Sequence, residues 1–441
     1  RELEKSIQTN QAQHLGNLLQ KAGEHLLDWE QIKAYQELDP GNAKLRNMFS
    51  QTIESGNWKL LWLPPSLPYY EPRSAFTQVD ERGFTKTLVF SSWKLVPKVI
   101  SILTSYEAER RMLELGKLEH IPYDELTQRR SARLVFTYAN ERYTGMPVFC
   151  LTYPCLTLAE AVDPLVISKQ LSNGSLPSSE SVLSQAEEIV ERMLKEAIQD
   201  VEIAEEGLVD ERWYWAALAI IDHHHKKDKV SEWFSFDNED ISWARLLDQG
   251  TDSDGGESRY TEHVEIFTDV FRTPSKMGRM PDDLVSVLAR VALASPAISA
   301  LRAFSRLCSN ESFGMYGLAA AAKIGLGFRT LFNTPDAITL INGLYPESPY
   351  WQKALQYCMD GNLQAVLDEY AHILYESLGL VGHDLQECTM KISDEIARAL
   401  SLRTTALRFD DFIIESENGV HIDKRSIRCR YGLRFGDEKI D

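Results

Sequence analysis

A chain of 441 residues is long enough for a large core and for two or three structural units. Its 65 acidic against 47 basic side chains give a formal net charge of −18, which argues against a broad basic face for nucleic acid but leaves room for a local basic groove. No apolar run approaches the roughly 20 residues that span a bilayer, and the opening "RELEKSIQTNQAQHLGNLL" has neither a signal peptide's apolar core nor a transit peptide's basic bias.

The chain begins with Arg rather than Met and is expected to be a piece of a longer protein. Its cysteines, Cys150, Cys155, Cys308, Cys358, Cys388 and Cys429, form no CxxC pair. Reduced, buried thiols in a cytoplasmic protein explain them better than disulfides or zinc.

Residues 1–55 read as a helical lead-in. Within it "DPGNAKLRNMFSQTIESG" predicts a turn at Asp39–Pro40–Gly41, then a helix with Leu45, Met48, Phe49 and Ile53 on one face, stopped by Gly56. "WKLLWLPPSLPYYEP", from Trp58, reads as a strand running into a proline-rich loop. Pro64, Pro65, Pro68 and Pro72 forbid regular structure there, so Trp62, Tyr69 and Tyr70 are expected on display along a stiff irregular segment.

"TKTLVFSSWKLVPKVISIL" follows, from Thr85. Leu88, Val89 and Phe90 form the short apolar run of a strand covered on both faces. Ser91 and Ser92 break that run. Val96, Val99, Ile100 and Leu103 then recur at helical spacing, and Pro97 is tolerated only near a helix start. A strand, a polar turn and a helix make half of a βαβ unit, and ligands gather at the carboxyl ends of strands in open α/β sheets. The competing reading is an ordinary βα turn with no ligand.

"ARLVFTY" and "MPVFCLTYP" are two further strand candidates, separated by "ANERYTG". After the polar linker "SKQLSNGSLPSSES" the pattern turns helical. A long amphipathic helix carries Val182, Ala186, Ile189, Met193 and Ala197. "MPDDLVSVLARVALASPAISALRAFSRL" opens on Pro281 and two acids and breaks at Pro296. A helical hairpin turns at Asp360–Gly361–Asn362 and ends at Gly379, and another helix runs from about Asp384 to Leu402. The closing "SIRCRYGLRFG" alternates Ile427, Cys429, Tyr431 and Leu433 against Arg428, Arg430 and Arg434, a strand with one basic face.

The order predicts an α/β plus mostly α protein: a partial parallel sheet interrupted by a large α-helical insertion domain. The expected divisions are 1–55, 56–170, 171–404 and 405–441. Strands near 58–63, 87–90 and 427–435 should then share one sheet, together with those near 134 and 148.

Three segments compete as sites. "DHHHKKDK", from Asp222, looks like a metal cluster, but neighbouring residues point around a helix and only Asp222 and His225 share a spacing of three; a solvated helix end is the better explanation. "GTDSDGGESRY", from Gly250, has alternating acids but lacks the EF-hand's glycine and twelfth-position glutamate, so it reads as an acidic surface loop. "GMYGLAAAAKIGLGFR", from Gly314, has no GxGxxG and suits close helix packing, with Lys323 and Arg329 as candidates to line a groove. The P-loop, GxSxG and HExxH motifs are all absent from the sequence.

The series "LDPGNAKLRNMF", "WLPPSLPYYEP" and "KTLVFSSWKLVPKVISILTSYEAERRM" resembles the start of the second RecA-like lobe of a superfamily 2 helicase, nearest to bacterial helicase-like proteins related to the Swi/Snf translocases. "MPVFCLTYPCLTLAEAVDPL", "FRTLFNTPDAITLI", "YWQKALQYCMDGNLQAVLDEYAHIL" and "RCRYGLRFG" are similar to further segments of that group. The resemblance implies that "VFS" is motif IV, that 56–170 opens a RecA-like lobe and that 405–441 returns to it. It implies a DNA contact through Ser91, Ser92, Trp93, Lys94 and Lys98, with Arg428, Arg430 and Arg434 as an additional basic face. It also implies ATP and Mg²⁺ in the intact protein, a first helicase lobe as partner, and a setting in phage defence or DNA processing. Walker A, Walker B and the arginines of motif VI are missing from this sequence, so no ATP hydrolysis is expected of it alone. The alternative is a non-catalytic acidic helical scaffold for protein–protein contacts.

Overall fold

The structure is a computed structural model that describes residues 28–77, 88–93, 95–118, 121, 132–139, 141–204, 206–236, 241–247, 259–274, 276–307, 314–401, 407–415 and 421–429. The chain forms two compact units. The first comprises Arg1–Ser55, Lys86–Arg130 and Thr404–Gly432, and the second Gly56–Thr85, Ser131–Arg403 and Leu433–Asp441.

In the first unit, α1 (Trp29–Lys33) is capped by Asp28, whose carboxylate accepts the N–H groups of Glu30 at 2.9 Å and Gln31 at 3.1 Å. Its Trp29 and Ile32 are buried with Tyr35, Tyr106 and Leu113. The rings of Tyr35 and Tyr106 stack at 5.8 Å, and the Tyr106 hydroxyl donates to the carbonyl of Gln36 at 2.7 Å. Helix α2 (Ala43–Thr52) starts on the Asn42 cap and buries Leu45 and Phe49, as the pattern predicts. Tyr106 and Leu113 belong to α3 (Leu95–Leu115). The strands β1 (Leu407–Glu415) and β2 (His421–Cys429) form an antiparallel hairpin in which Leu407 faces Cys429 and Glu415 faces His421; α3 lies against both.

The second unit is helical. In chain order it contains α4 (Phe149–Thr152), α5 (Leu156–Ala161), α6 (Pro164–Leu171), α7 (Ser179–Ala197), α8 (Trp213–Ser235), α9 (Tyr260–Arg272) and α10 (Leu284–Ala294). There follow α11 (Pro296–Leu307), α12 (Met315–Phe332), α13 (Pro335–Leu344), α14 (Tyr350–Asp360), α15 (Leu363–Ser377) and α16 (Leu385–Leu400). Helix α12 packs between α11 and α16, α11 meets α15, and α7 meets α10. The close approach needs glycine: a Cβ on Gly325 would sit 2.8 Å from the Cα of Thr152, and one on Gly327 would sit 3.2 Å from the Cα of Ala397. In α7 the buried line is Val182, Ala186, Val190, Leu194 and Ala197, so Ile189 and Met193 sit one position off it. Among the described residues no single helix is long and apolar enough to cross a membrane.

The α/β expectation is overturned. The molecule is mostly helical, and among the described residues its only sheets are two antiparallel pairs: the β1–β2 hairpin and a two-residue ladder joining Tyr138–Ala139 to Arg142–Tyr143. Among the described residues there is no parallel RecA-like sheet for the helical block to interrupt. The closing strand pairs with its own neighbour, residues 57–60 form a 3₁₀ turn, and residues 88–90 form no ladder with any described residue. "MPVFCLTYP" forms a 3₁₀ turn and α4 rather than a strand. The physical reason is that a short apolar run wants only burial, and a helix enclosed by other helices supplies it as well as a covered strand does.

The proline-rich loop also departs from expectation. Trp62 and Tyr70 are buried, because the loop lies on the α14–α15 turn. There the side-chain oxygen of Asn362 accepts the N–H groups of Tyr69 at 3.0 Å and Tyr70 at 3.2 Å, and the Tyr70 hydroxyl donates to the carbonyl of Met359 at 2.8 Å.

Replacing Gly325 by Ala is expected to force α12 away from the end of α4 and cost about 1–3 kcal/mol. Urea unfolding checks it; an unchanged midpoint would show that this contact yields without strain.

Candidate nucleic-acid interface

The stretch from Leu88 to Lys98 belongs to the first unit. Residues 88–91 adopt no regular structure, Ser92 and Trp93 form a bend, and α3 starts at Leu95. The bend is local: the Ser91 hydroxyl oxygen accepts the Trp93 N–H at 3.1 Å, and the Trp93 carbonyl accepts the Val96 N–H at 3.2 Å. Leu88, Phe90 and Trp93 are 77%, 87% and 74% exposed, and Ser91, Ser92 and Lys98 are exposed with them. The structure therefore presents Ser91, Ser92, Trp93 and Lys98 together at one helix start. Lys94 lies outside the described residues, as do Arg430 and Arg434. Arg428 stands on β2 opposite Arg408 of β1.

The rival segments are resolved differently. Asp222 is fully buried in α8, one turn before the kink at Lys226 that breaks that helix, so it is not solvated. Its carboxylate accepts the Tyr153 hydroxyl at 2.7 Å and the N–H groups of Leu156 at 3.1 Å and Thr157 at 2.8 Å. It thereby caps α5 from another helix. Burial pushes its pKa above the ordinary carboxylate value, and the bonds from Thr157 and Tyr153 oppose that rise. His223 packs edge-on against Phe271, and His225 Nε2 stands 4.0 Å from a Glu196 oxygen. No group of three His, Cys, Asp or Glu among the described residues could hold a metal ion. Most of the acidic stretch from Gly250 lies outside the described residues. Lys323 pairs with Asp394, and Arg329 is buried with its Nε donating to the carbonyl of Leu134 at 2.7 Å. A cavity of about 400 Å³ lies between the ends of α8 and α9, lined by Asp228, Ser231, Glu232, Phe234, Phe271 and Arg272, among others.

Sequence reasoning missed one cluster altogether. Arg302 on α11 is 3% exposed and spends its guanidinium on buried oxygens. Nη1 donates to the carbonyls of Val162 and Ala292, both at 2.8 Å, Nη2 to Leu293 at 3.1 Å, and Nε to the side chain of Gln364 at 2.6 Å. In an unbroken helix the Ala292 carbonyl would accept from residue 296, which is proline and has no N–H. Arg302 supplies the missing donor. One turn on, Arg306 bridges Asp163 at 2.6 Å and Asp368, and Asp368 also accepts the Tyr69 hydroxyl at 2.6 Å. Burial lowers the pKa of Arg302 to about 10 and raises that of Asp368. For Asp163 burial acts upward, but Arg306 outweighs it and the pKa ends below the ordinary value. The available signal was an arginine on the apolar face of α11, six residues after Pro296. Every contact in the cluster joins parts of the fold to one another, which makes it a clamp rather than a reactive site.

Compared with family models, curated proteins and solved structures, the chain matches none of them.

Arg302→Met is expected to leave three buried carbonyls and Gln364 without their donor and to cost about 3–5 kcal/mol, with Arg302→Lys restoring part of that stability. Chemical denaturation of the three proteins measures this. A Met variant as stable as the parent would mean that the carbonyls find other donors.

Proposed function

We propose that this chain works in the cytoplasm as part of an ATP-dependent DNA helicase or translocase, with the segment from Leu88 to Lys98 meeting the nucleic acid and the helical second unit serving as an accessory body. The observation that carries the reading is the presentation of Ser91, Ser92, Trp93 and Lys98 at the exposed start of α3. Hydroxyls and a lysine suit phosphate oxygens. The segment "KTLVFSSWKLVPKVISILTSYEAERRM" resembles the corresponding helicase stretch in sequence, although residues 88–90 form no strand. ATP and Mg²⁺ would be held by a partner lobe that supplies a phosphate cradle and acidic ligands. Lys94, next to Trp93 in the sequence, would add positive charge, and the resemblance alone is what proposes Arg428, Arg430 and Arg434 as a further basic face.

The test is a salt titration of DNA binding by the 441-residue chain and by the variant Lys94→Glu/Lys98→Glu. Binding is expected to be weak, insensitive to sequence and lost steeply with salt. The variant should bind less tightly, and its log–log salt slope should be shallower by about 0.7 for each single-strand phosphate that it no longer neutralises. Equal affinities across the range would remove this segment from the interface. They would favour the second reading, an acidic helical scaffold that docks basic partners, which the net charge of −18 supports.

A further inference from the structure

We infer that Phe90 and Trp93 form a stacking platform for the bases of single-stranded nucleic acid, so that the interface takes strands with free bases in preference to duplex. The inference rests on the nucleic-acid reading above and adds a ligand class to it. Phosphate contact alone gives no role to large aromatic side chains, yet Phe90 is 87% and Trp93 74% exposed. Two serines separate them, and the bond from the Trp93 N–H to the Ser91 hydroxyl fixes the bend between them. That bond holds the turn from Ser91 to Trp93, directly after Phe90.

Charge points to the same occupant. From Arg82 to Tyr106 the sequence has no Asp or Glu, while it carries Arg82, Lys86, Lys94 and Lys98, in a chain whose net charge is −18. Lys98 is exposed one helical turn into α3. Aromatic faces interleaved with cations are what a strand of splayed bases requires, because each base offers a π-face and each linkage a negative charge. A duplex keeps its bases stacked on one another and offers aromatic side chains nothing but its edges. An anionic lipid surface shares the charge preference but favours an uninterrupted apolar face, and Ser91 and Ser92 interrupt this one.

The experiment uses fluorescence anisotropy of the full chain at about 50 mM salt with a labelled oligothymidylate of about 16 nucleotides, an abasic strand of equal length and a duplex. The oligothymidylate should bind about 5- to 100-fold more tightly than the abasic strand. Phe90→Ala/Trp93→Ala should abolish that advantage while retaining the abasic affinity and its thermal midpoint, and Trp93→Phe should restore part of it. Equal, salt-dependent binding of the abasic strand and the oligothymidylate would overturn the stacking platform and leave the phosphate interface standing. Binding of neither would overturn the interface itself. Tighter association with phosphatidylserine vesicles than with oligothymidylate would reassign the patch to a membrane surface.

Discussion

The second unit depends on how one short helix is held at its ends. Helix α5 spans Leu156–Ala161, too short to stabilise itself in water. Its first N–H groups meet the buried carboxylate of Asp222, and the carbonyl of Val162 at its far end meets the buried guanidinium of Arg302. A negative group at the amino end and a positive one at the carboxyl end is the arrangement the helix dipole favours. The two side chains stand on α8 and α11, and Arg302 also reaches α10 and α15, so four elements are fixed around a helix of six residues. A neutral core of equal volume would bury as much apolar surface but would leave the orphan N–H and C=O groups of α5 and α10 without partners.

That arrangement explains what was legible in the sequence. Amphipathic spacing located α2, α7 and α16, and punctuation by Pro296, Gly361 and Gly379 located the helix breaks. Local patterns report local structure, and these elements are decided locally. The apolar runs at 58–63 and 146–154 were misread as strands because a short run satisfies a buried helix equally well. The charged clamp was illegible for a different reason. Arg302 and Val162 lie 140 residues apart, and Asp222 and Leu156 lie 66 apart. Only the packed fold decides which buried oxygen meets which donor.

The candidate interface was legible in the opposite sense. Ser91, Ser92 and Trp93 were singled out as the polar end of a buried strand, but the strand did not form and the run before them is exposed. The error followed from treating Leu88, Val89 and Phe90 as a demand for two covering faces, which nothing among the described residues meets. The exposure of the serines and the tryptophan does not depend on that strand. A hydroxyl that caps its own turn and a helix that starts two residues later are sufficient to present them.

Buried charges and exposed apolar groups are settled by different means. In the second unit, charges as deep as Asp222 and Arg302 are matched by donors and acceptors drawn from across the chain. In the first unit, Leu88, Phe90 and Trp93 remain in water, although covering each would contribute about 1.5–3 kcal/mol. A sequence whose local choices otherwise agree with its fold departs from that agreement where another requirement acts. Here the departure falls beside a lysine and within a stretch that has no acids, in a chain that is acidic elsewhere. Stability within the chain does not account for that combination, which is why the proposed base-stacking contact is placed there.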